Sequence, residues 1–88
     1  MKDEKGILIG LKKAHTHLGN VISMVEGKNY CVDIMQQNLA VIGLLKSAND
    51  KLFERHINHC FSAAMQGTNR TKKQKMIEEI LKLNKYSN

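Results

Sequence analysis

Residues 31–65 read CVDIMQQNLAVIGLLKSANDKLFERHINHCFSAAM, a stretch with a single glycine, Gly43, and no proline. A lone glycine weakens a helix without ending it, and Ser47-Ala48-Asn49-Asp50 is the only other weak spot. The stretch therefore predicts one long helix over about residues 30–66. Its apolar residues, among them Ile34, Met35, Leu39, Val41, Ile42, Leu45, Leu52 and Phe61, cover more than one stripe. A helix of that kind is buried against more than one neighbour.

Upstream, Ile7, Leu8, Leu11, Ala14, Leu18, Val21, Ile22 and Val25 recur at steps of three and four, which predicts an amphipathic helix over about 5–26. Lys12, Lys13, Thr16, Asn20 and Ser23 mark its opposite face, and Glu26-Gly27-Lys28-Asn29 breaks the pattern with a flexible glycine and a turn-forming asparagine. Downstream, Gly67-Thr68-Asn69 is a stop signal, since glycine suits the position after a helix end. A third helix follows over about 71–84, with Met76, Ile77, Ile80 and Leu81 as its stripe. The fold class expected is all-α, a single three-helix domain over residues 1–88.

A chain of 88 residues is too short for the barrel enzymes. With 5% aromatic residues and no proline, a lone copy has a thin core, and chains of this size usually need a staple, a metal or a partner subunit. No phosphate loop, Ser/His/Asp set or paired-carboxylate motif appears, so an enzyme is not expected. No window approaches a membrane span, and Met1–Gly10 lacks the apolar core and cleavage site of a signal peptide, so the expectation is a cytoplasmic protein. In that reducing compartment, two cysteines read as metal, redox or core residues rather than a structural disulfide.

The formal net charge is +6, and the cations are almost all lysine, with Arg55 and Arg70 the only arginines. Nucleic acid is the first candidate partner for such a balance. The charge is uneven: +2 over residues 1–30, zero over 31–60 and +4 over 61–88. A neutral central helix fits a buried oligomer core, with the basic surface carried by its neighbours.

His56 and Cys60 stand one turn apart, the spacing that lets two side chains reach one metal. At 100° per residue Cys31 faces the same way, with His56 about 20° short of whole turns and Cys60 about 20° past. The stripe Cys31, Ile34, Asn38, Val41, Leu45, Ala48, Leu52, His56, Cys60 has the three- and four-residue steps of a helix-packing seam. Cys31 and His56 are separated by about 37 Å of helix at 1.5 Å per residue, so one straight chain cannot close the set. An antiparallel two-fold pairing of two such helices closes it twice, setting Cys31 of one chain against His56 and Cys60 of the other. Breaking the helix at Asn49-Asp50 and folding it back still leaves Cys31 about 10 Å or more out of register. Two thiolates and an imidazole form a soft, low-coordinate set suited to Cu(I). Zinc wants a fourth ligand, for which His59 is available, although His59 reads first as an exposed helix residue.

These residues resemble the copper-sensitive operon repressors, a family of small helical metal- or thiol-responsive repressors. The resemblance spans nearly the whole chain. It rests on Lys13-Ala14 through His17-Leu18, Met24-Val25-Glu26, Tyr30-Cys31-Val32-Asp33-Ile34, Gln37, Leu39-Ala40-Val41 and His56-Ile57-Asn58-His59-Cys60. What the resemblance implies is a three-helix protomer, an antiparallel four-helix-bundle dimer and a dimer of dimers, with a Cu(I) site of Cys31, His56 and Cys60 bridging protomers. It also implies Tyr30 and a third-helix carboxylate, Glu78 or Glu79, behind His56. Operator DNA is the implied partner, bound in the apo state and released on copper binding. In sister branches, nickel or cobalt sensors carry histidine at the Cys60 position, formaldehyde sensors lack that cysteine, and persulfide sensors lack the histidine. All three ligand residues are present here.

The chain departs from the family in its DNA-binding face. Where relatives carry several arginines, it offers Lys12, Lys13, His15 and Lys46. Lysine meets phosphate as a point charge and lacks the fork that reads guanine, so phosphate contacts and DNA shape should dominate binding. Two rival expectations share these residues: a persulfide- or redox-sensing repressor using Cys31 and Cys60, and a helical copper buffer without a DNA role.

Overall fold

The computed structural model describes residues 2–86, with side chains over 4–83. Helix α1 spans Lys2–Glu26 and α2 spans Cys31–Arg55. A π-helical segment, His56–Phe61, follows directly and leads into the short α3, Ser62–Gln66; α4 spans Arg70–Tyr86. The all-α, three-helix expectation is met, with α2, the π segment and α3 together taking the place of the long second helix. Among the described residues there is no strand, and no helix is long and apolar enough to cross a membrane. The chain divides into two compact units, residues 1–53 and 54–88.

In the first unit α1 and α2 run antiparallel. Gly6 lies by Lys51, a Cβ at Gly10 would stand 3.7 Å from the Ala48 Cβ, and His17 reaches Gln37. The buried residues recur at sevens, Ile7, Ala14 and Val21 on α1 and Val41 and Ala48 on α2. Half-buried Ile34 and Leu44 pack against this cluster. That is a coiled-coil seam, with small residues at Gly10, Ala14 and Ala48 letting the helices approach. At the exposed edge of the seam, His17 Nε2–H donates to Gln37 Oε1 over 2.8 Å. Because Gln37 is exposed, water can replace this bond, and register rests on the apolar residues of the seam.

The seam uses only part of the predicted stripes. Ile34, Val41 and Ala48, assigned by sequence to a seam between two chains, turn instead toward α1 of their own chain. The residues flanking them remain uncovered: Leu11, Leu18 and Ile22 of α1 and Met35, Ile42 and Leu45 of α2 are between 38% and 56% exposed. All six occupy the heptad positions on one side of the seam. In an antiparallel pair that side is common to both helices, so the hairpin has one apolar flank. The opposite flank is polar, with Lys13, Thr16 and Asn20 against Asp33, Gln36 and Ser47.

The turn between α1 and α2 is a Schellman cap. Asn29 N–H donates to Met24 O at 3.0 Å and Lys28 N–H to Val25 O at 3.1 Å, which satisfies carbonyls left open by the helix end. The left-handed residue this motif requires is Lys28, at φ 56°, and not the neighbouring Gly27. Tyr30 O accepts Ile34 N–H at 3.1 Å, so α2 opens with Cys31 in its first turn.

In the second unit α4 packs on α3, with Ala64 buried and Met76 and Ile80 half-buried. Ile77 and Leu81, also placed by sequence on the packing stripe, are exposed. Asn69 caps α4, its Oδ1 accepting Lys72 N–H at 3.0 Å, so the helix starts at Arg70. Gly67 ends α3 with φ −79° and ψ 178°, extended backbone open to any residue.

Candidate functional site

Cys31 begins α2 in the first unit; it is exposed and its thiol is free. By heptad position it lies on the apolar flank, at the end marked by Met35. Tyr30, immediately before it, is 69% exposed. His56 and Cys60 lie in the π segment of the second unit, His56 half-buried and Cys60 exposed with a free thiol. Among the described residues, no three His, Cys, Asp or Glu side chains gather closely enough to hold a metal ion.

The π segment changes the angular arithmetic. Ser62 N–H bonds to Ile57 O, the five-residue step that defines π winding. Each residue then turns through less than 100°, so Cys60 falls behind His56 around the axis instead of running ahead of it, a change on the order of tens of degrees. Either way the pair keeps one face. What shifts is the phase of everything from Phe61 onward relative to an unbroken α-helix. Such segments amount to one residue inserted into a helix, and they occur often at functional sites. Sequence could not reveal it, because HINHCF contains no glycine or proline and fits either winding.

The two candidate carboxylates separate on α4. Glu78 lies on the far side from half-buried Met76 and Ile80 and accepts a 3.4 Å hydrogen bond from Gln74 Nε2. Glu79 borders the packed stripe. Both are exposed.

The basic candidates do not converge on one patch. Lys12 and Lys13 line an open groove of the first unit with Ile9, Thr16, His17, Asn20 and Leu44. His15 lies across the helix on the apolar flank, and Lys46 on the outer side of α2; both are exposed. Thr16 and Asn20 were legible in sequence as the polar face of the first helix, and the groove adds them to Lys12 and Lys13 as polar groups able to meet phosphate.

A family model described as metal-sensitive transcriptional repressor matches residues 3–85. The chain belongs to that family. Relatives carry the same signature in their names. The copper-sensing transcriptional repressor CsoR of Mycobacterium ulcerans (strain Agy99) is 42% identical over 62 residues, 70% of this chain and 53% of that protein. CsoR of Bacillus subtilis (strain 168) is 34% identical over 65 residues, 74% of this chain and 64% of the relative. The chain thus spans about half the length of the mycobacterial relatives it matches. Among solved structures, the crystal structure of the copper-sensing repressor CsoR with Cu(I) from Geobacillus thermodenitrificans NG80-2 superposes with a TM-score of 0.83 at 30% identity, covering 98% of this chain and 88% of that one.

Proposed function

We propose that this member of the metal-sensitive repressor family is a cytoplasmic, Cu(I)-responsive transcriptional repressor, binding operator DNA without metal and leaving it when Cu(I) binds. The observation that carries the reading is the donor set: two free, exposed thiols at Cys31 and Cys60 and a half-buried imidazole at His56, in a chain whose structural relative holds Cu(I). Thiolate and imidazole donors fit soft Cu(I), which would be held by Cys31, His56 and Cys60 and would supply the bonds that tie these side chains together. Cys31 of one protomer would meet the partner's His56 and Cys60.

The apolar flank supports the dimer this requires. A second hairpin laid on Leu11, Leu18, Met35, Ile42 and Leu45 makes a four-helix bundle, and Cys31 lies on that same flank. A homotetramer of two dimers completes the proposed assembly. His56 is the proposed transmitter: with one ring nitrogen on the metal, the other is left to bond an outer partner. Tyr30 and a carboxylate of α4 are the proposed partners, and Glu79 suits that role better than Glu78, which faces away from the packed side. Lys12, Lys13, His15 and Lys46 are the proposed DNA contacts, Lys12 and Lys13 working through their groove with Thr16 and Asn20. Linkage makes the response reciprocal: metal weakens DNA binding only by the factor by which DNA weakens metal binding.

The test is an anaerobic Cu(I) titration of the protein bound to a fluorescent duplex from upstream of its own gene, read by anisotropy, with Cys31→Ala alongside. Release of wild type but not of the variant is the expected result. Release of both equally, or of neither, refutes the assignment. A second reading, persulfide sensing by Cys31 and Cys60, draws on the exposure of both thiols. It predicts DNA release by polysulfide and indifference to copper.

A further inference from the structure

Two-thirds of the net charge lies outside the groove of Lys12 and Lys13. Residues 61–88 carry +4 of the +6, and the cations concentrate at the start of α4. Arg70, Lys72, Lys73 and Lys75 occupy its first two turns, with no acidic residue in the first turn. This is the helix end where backbone N–H groups already make the potential positive and where acidic residues are normally favoured. Among the described residues none of these four has a carboxylate partner. Among the described residues the side-chain cap is neutral, Asn69 Oδ1 on Lys72 N–H. Local electrostatics alone would not choose this arrangement, and departures from local consistency are expected where function demands them.

The surface also has the right chemistry for phosphate. An open groove of the second unit is lined by Arg70, Thr71, Gln74, Lys75 and Glu78. Arg70, Thr71, Gln74 and Lys75 all offer donors. The single carboxylate, Glu78, accepts a hydrogen bond from Gln74. Arg70 is one of only two arginines in the chain, and its planar fork matches phosphate oxygens better than any of the lysines.

We infer that the first two turns of α4 form a second DNA-contacting surface, in which Arg70, Lys72 and Lys75 hold the phosphate backbone of duplex DNA in addition to the contacts made by Lys12 and Lys13. The inference rests on the repressor reading and deepens it. Family resemblance places DNA contacts on the first two helices, where this chain is poor in arginine; α4 supplies the charge that they lack. Its contacts are to backbone, so they add affinity and salt dependence without reading sequence.

The test measures binding of the full-length apo protein to a fluorescent duplex from upstream of its own gene, over a series of salt concentrations. Three proteins are compared: wild type, Arg70→Gln/Lys72→Gln/Lys75→Gln, and Lys12→Gln/Lys13→Gln. The α4 variant should bind at least about tenfold more weakly near 0.1 M salt, with the slope of log K against log salt shallower by about one per cation removed. Its thermal midpoint should hold or rise, since repulsion from the helix end is relieved, and light scattering should give the wild-type mass. Loss of affinity with a lowered midpoint or a changed mass overturns the inference. If the groove variant weakens binding and the α4 variant does not, the inference fails and the repressor reading stands. If wild type binds no duplex even at low salt, both fail. If the α4 variant instead loses binding to phosphatidylglycerol vesicles while keeping its grip on duplex, the surface serves a membrane and the inference is overturned.

Discussion

Lys28→Gly should stabilise the protein, although it removes a side chain and puts glycine beside glycine. Lys28 is the left-handed residue of the cap between α1 and α2, at φ 56°. A side chain there costs roughly 1–2 kcal/mol, because Cβ crowds the following carbonyl oxygen. Glycine removes the strain but gives back roughly 0.5–1 kcal/mol through the greater freedom of the unfolded chain. The balance is a gain of about 0.5–1 kcal/mol, or several degrees of thermal midpoint for a domain of this size. The backbone bonds of the cap involve only main-chain atoms, so none is lost. Gly27→Ala is the matched opposite. A Cβ at Gly27 would stand 3.1 Å from Asn29 Oδ1 and 3.2 Å from Ser23 O, and the latter is backbone that cannot swing away. The assay is urea denaturation followed by circular dichroism, at one protein concentration because the proposed assembly would contribute to stability. A lowered midpoint for Lys28→Gly would refute the assignment of left-handed geometry to Lys28, and a raised one for Gly27→Ala would show that the close contacts at Gly27 relax at little cost.

Three further outcomes are expected. Asn69→Ala should remove about 1 kcal/mol by exposing the α4 N-terminus, seen as faster amide exchange in the first turn of α4 before any change elsewhere. Ile42→Glu with Leu45→Glu should leave the α1–α2 hairpin helical but dissociate the assembly by light scattering; an unchanged mass would show that the apolar flank is not the dimer surface. His17→Ala should cost no more than about 0.5–1 kcal/mol in urea denaturation, because exposed Gln37 regains water as its partner; a loss of several kcal/mol would show that the pair is buried.

Periodicity determined the three helices from sequence alone, because a helix repeats every few residues whatever it packs against. Donor chemistry determined the candidate ligands Cys31, His56 and Cys60 in the same way: thiol and imidazole groups are rare enough for their spacing to carry information. Sequence left open which apolar stripe faced which neighbour. Leu11 and Ala14, or Leu45 and Val41, are all apolar and only three or four residues apart, and only packing decides that Ala14 and Val41 fill the α1–α2 seam while Leu11 and Leu45 stay exposed on its flank. The small residues win the seam because antiparallel helices approach closely at Gly10, Ala14 and Ala48, leaving the bulkier side chains on the flank. The turn followed the same logic: sequence located it by Gly27, but hydrogen-bond geometry moved the left-handed position to Lys28. The π segment belongs wholly to the tertiary structure, since one residue absorbed into the winding at His56–Phe61 leaves composition and pattern untouched while rephasing the helix that carries two of the three candidate ligands.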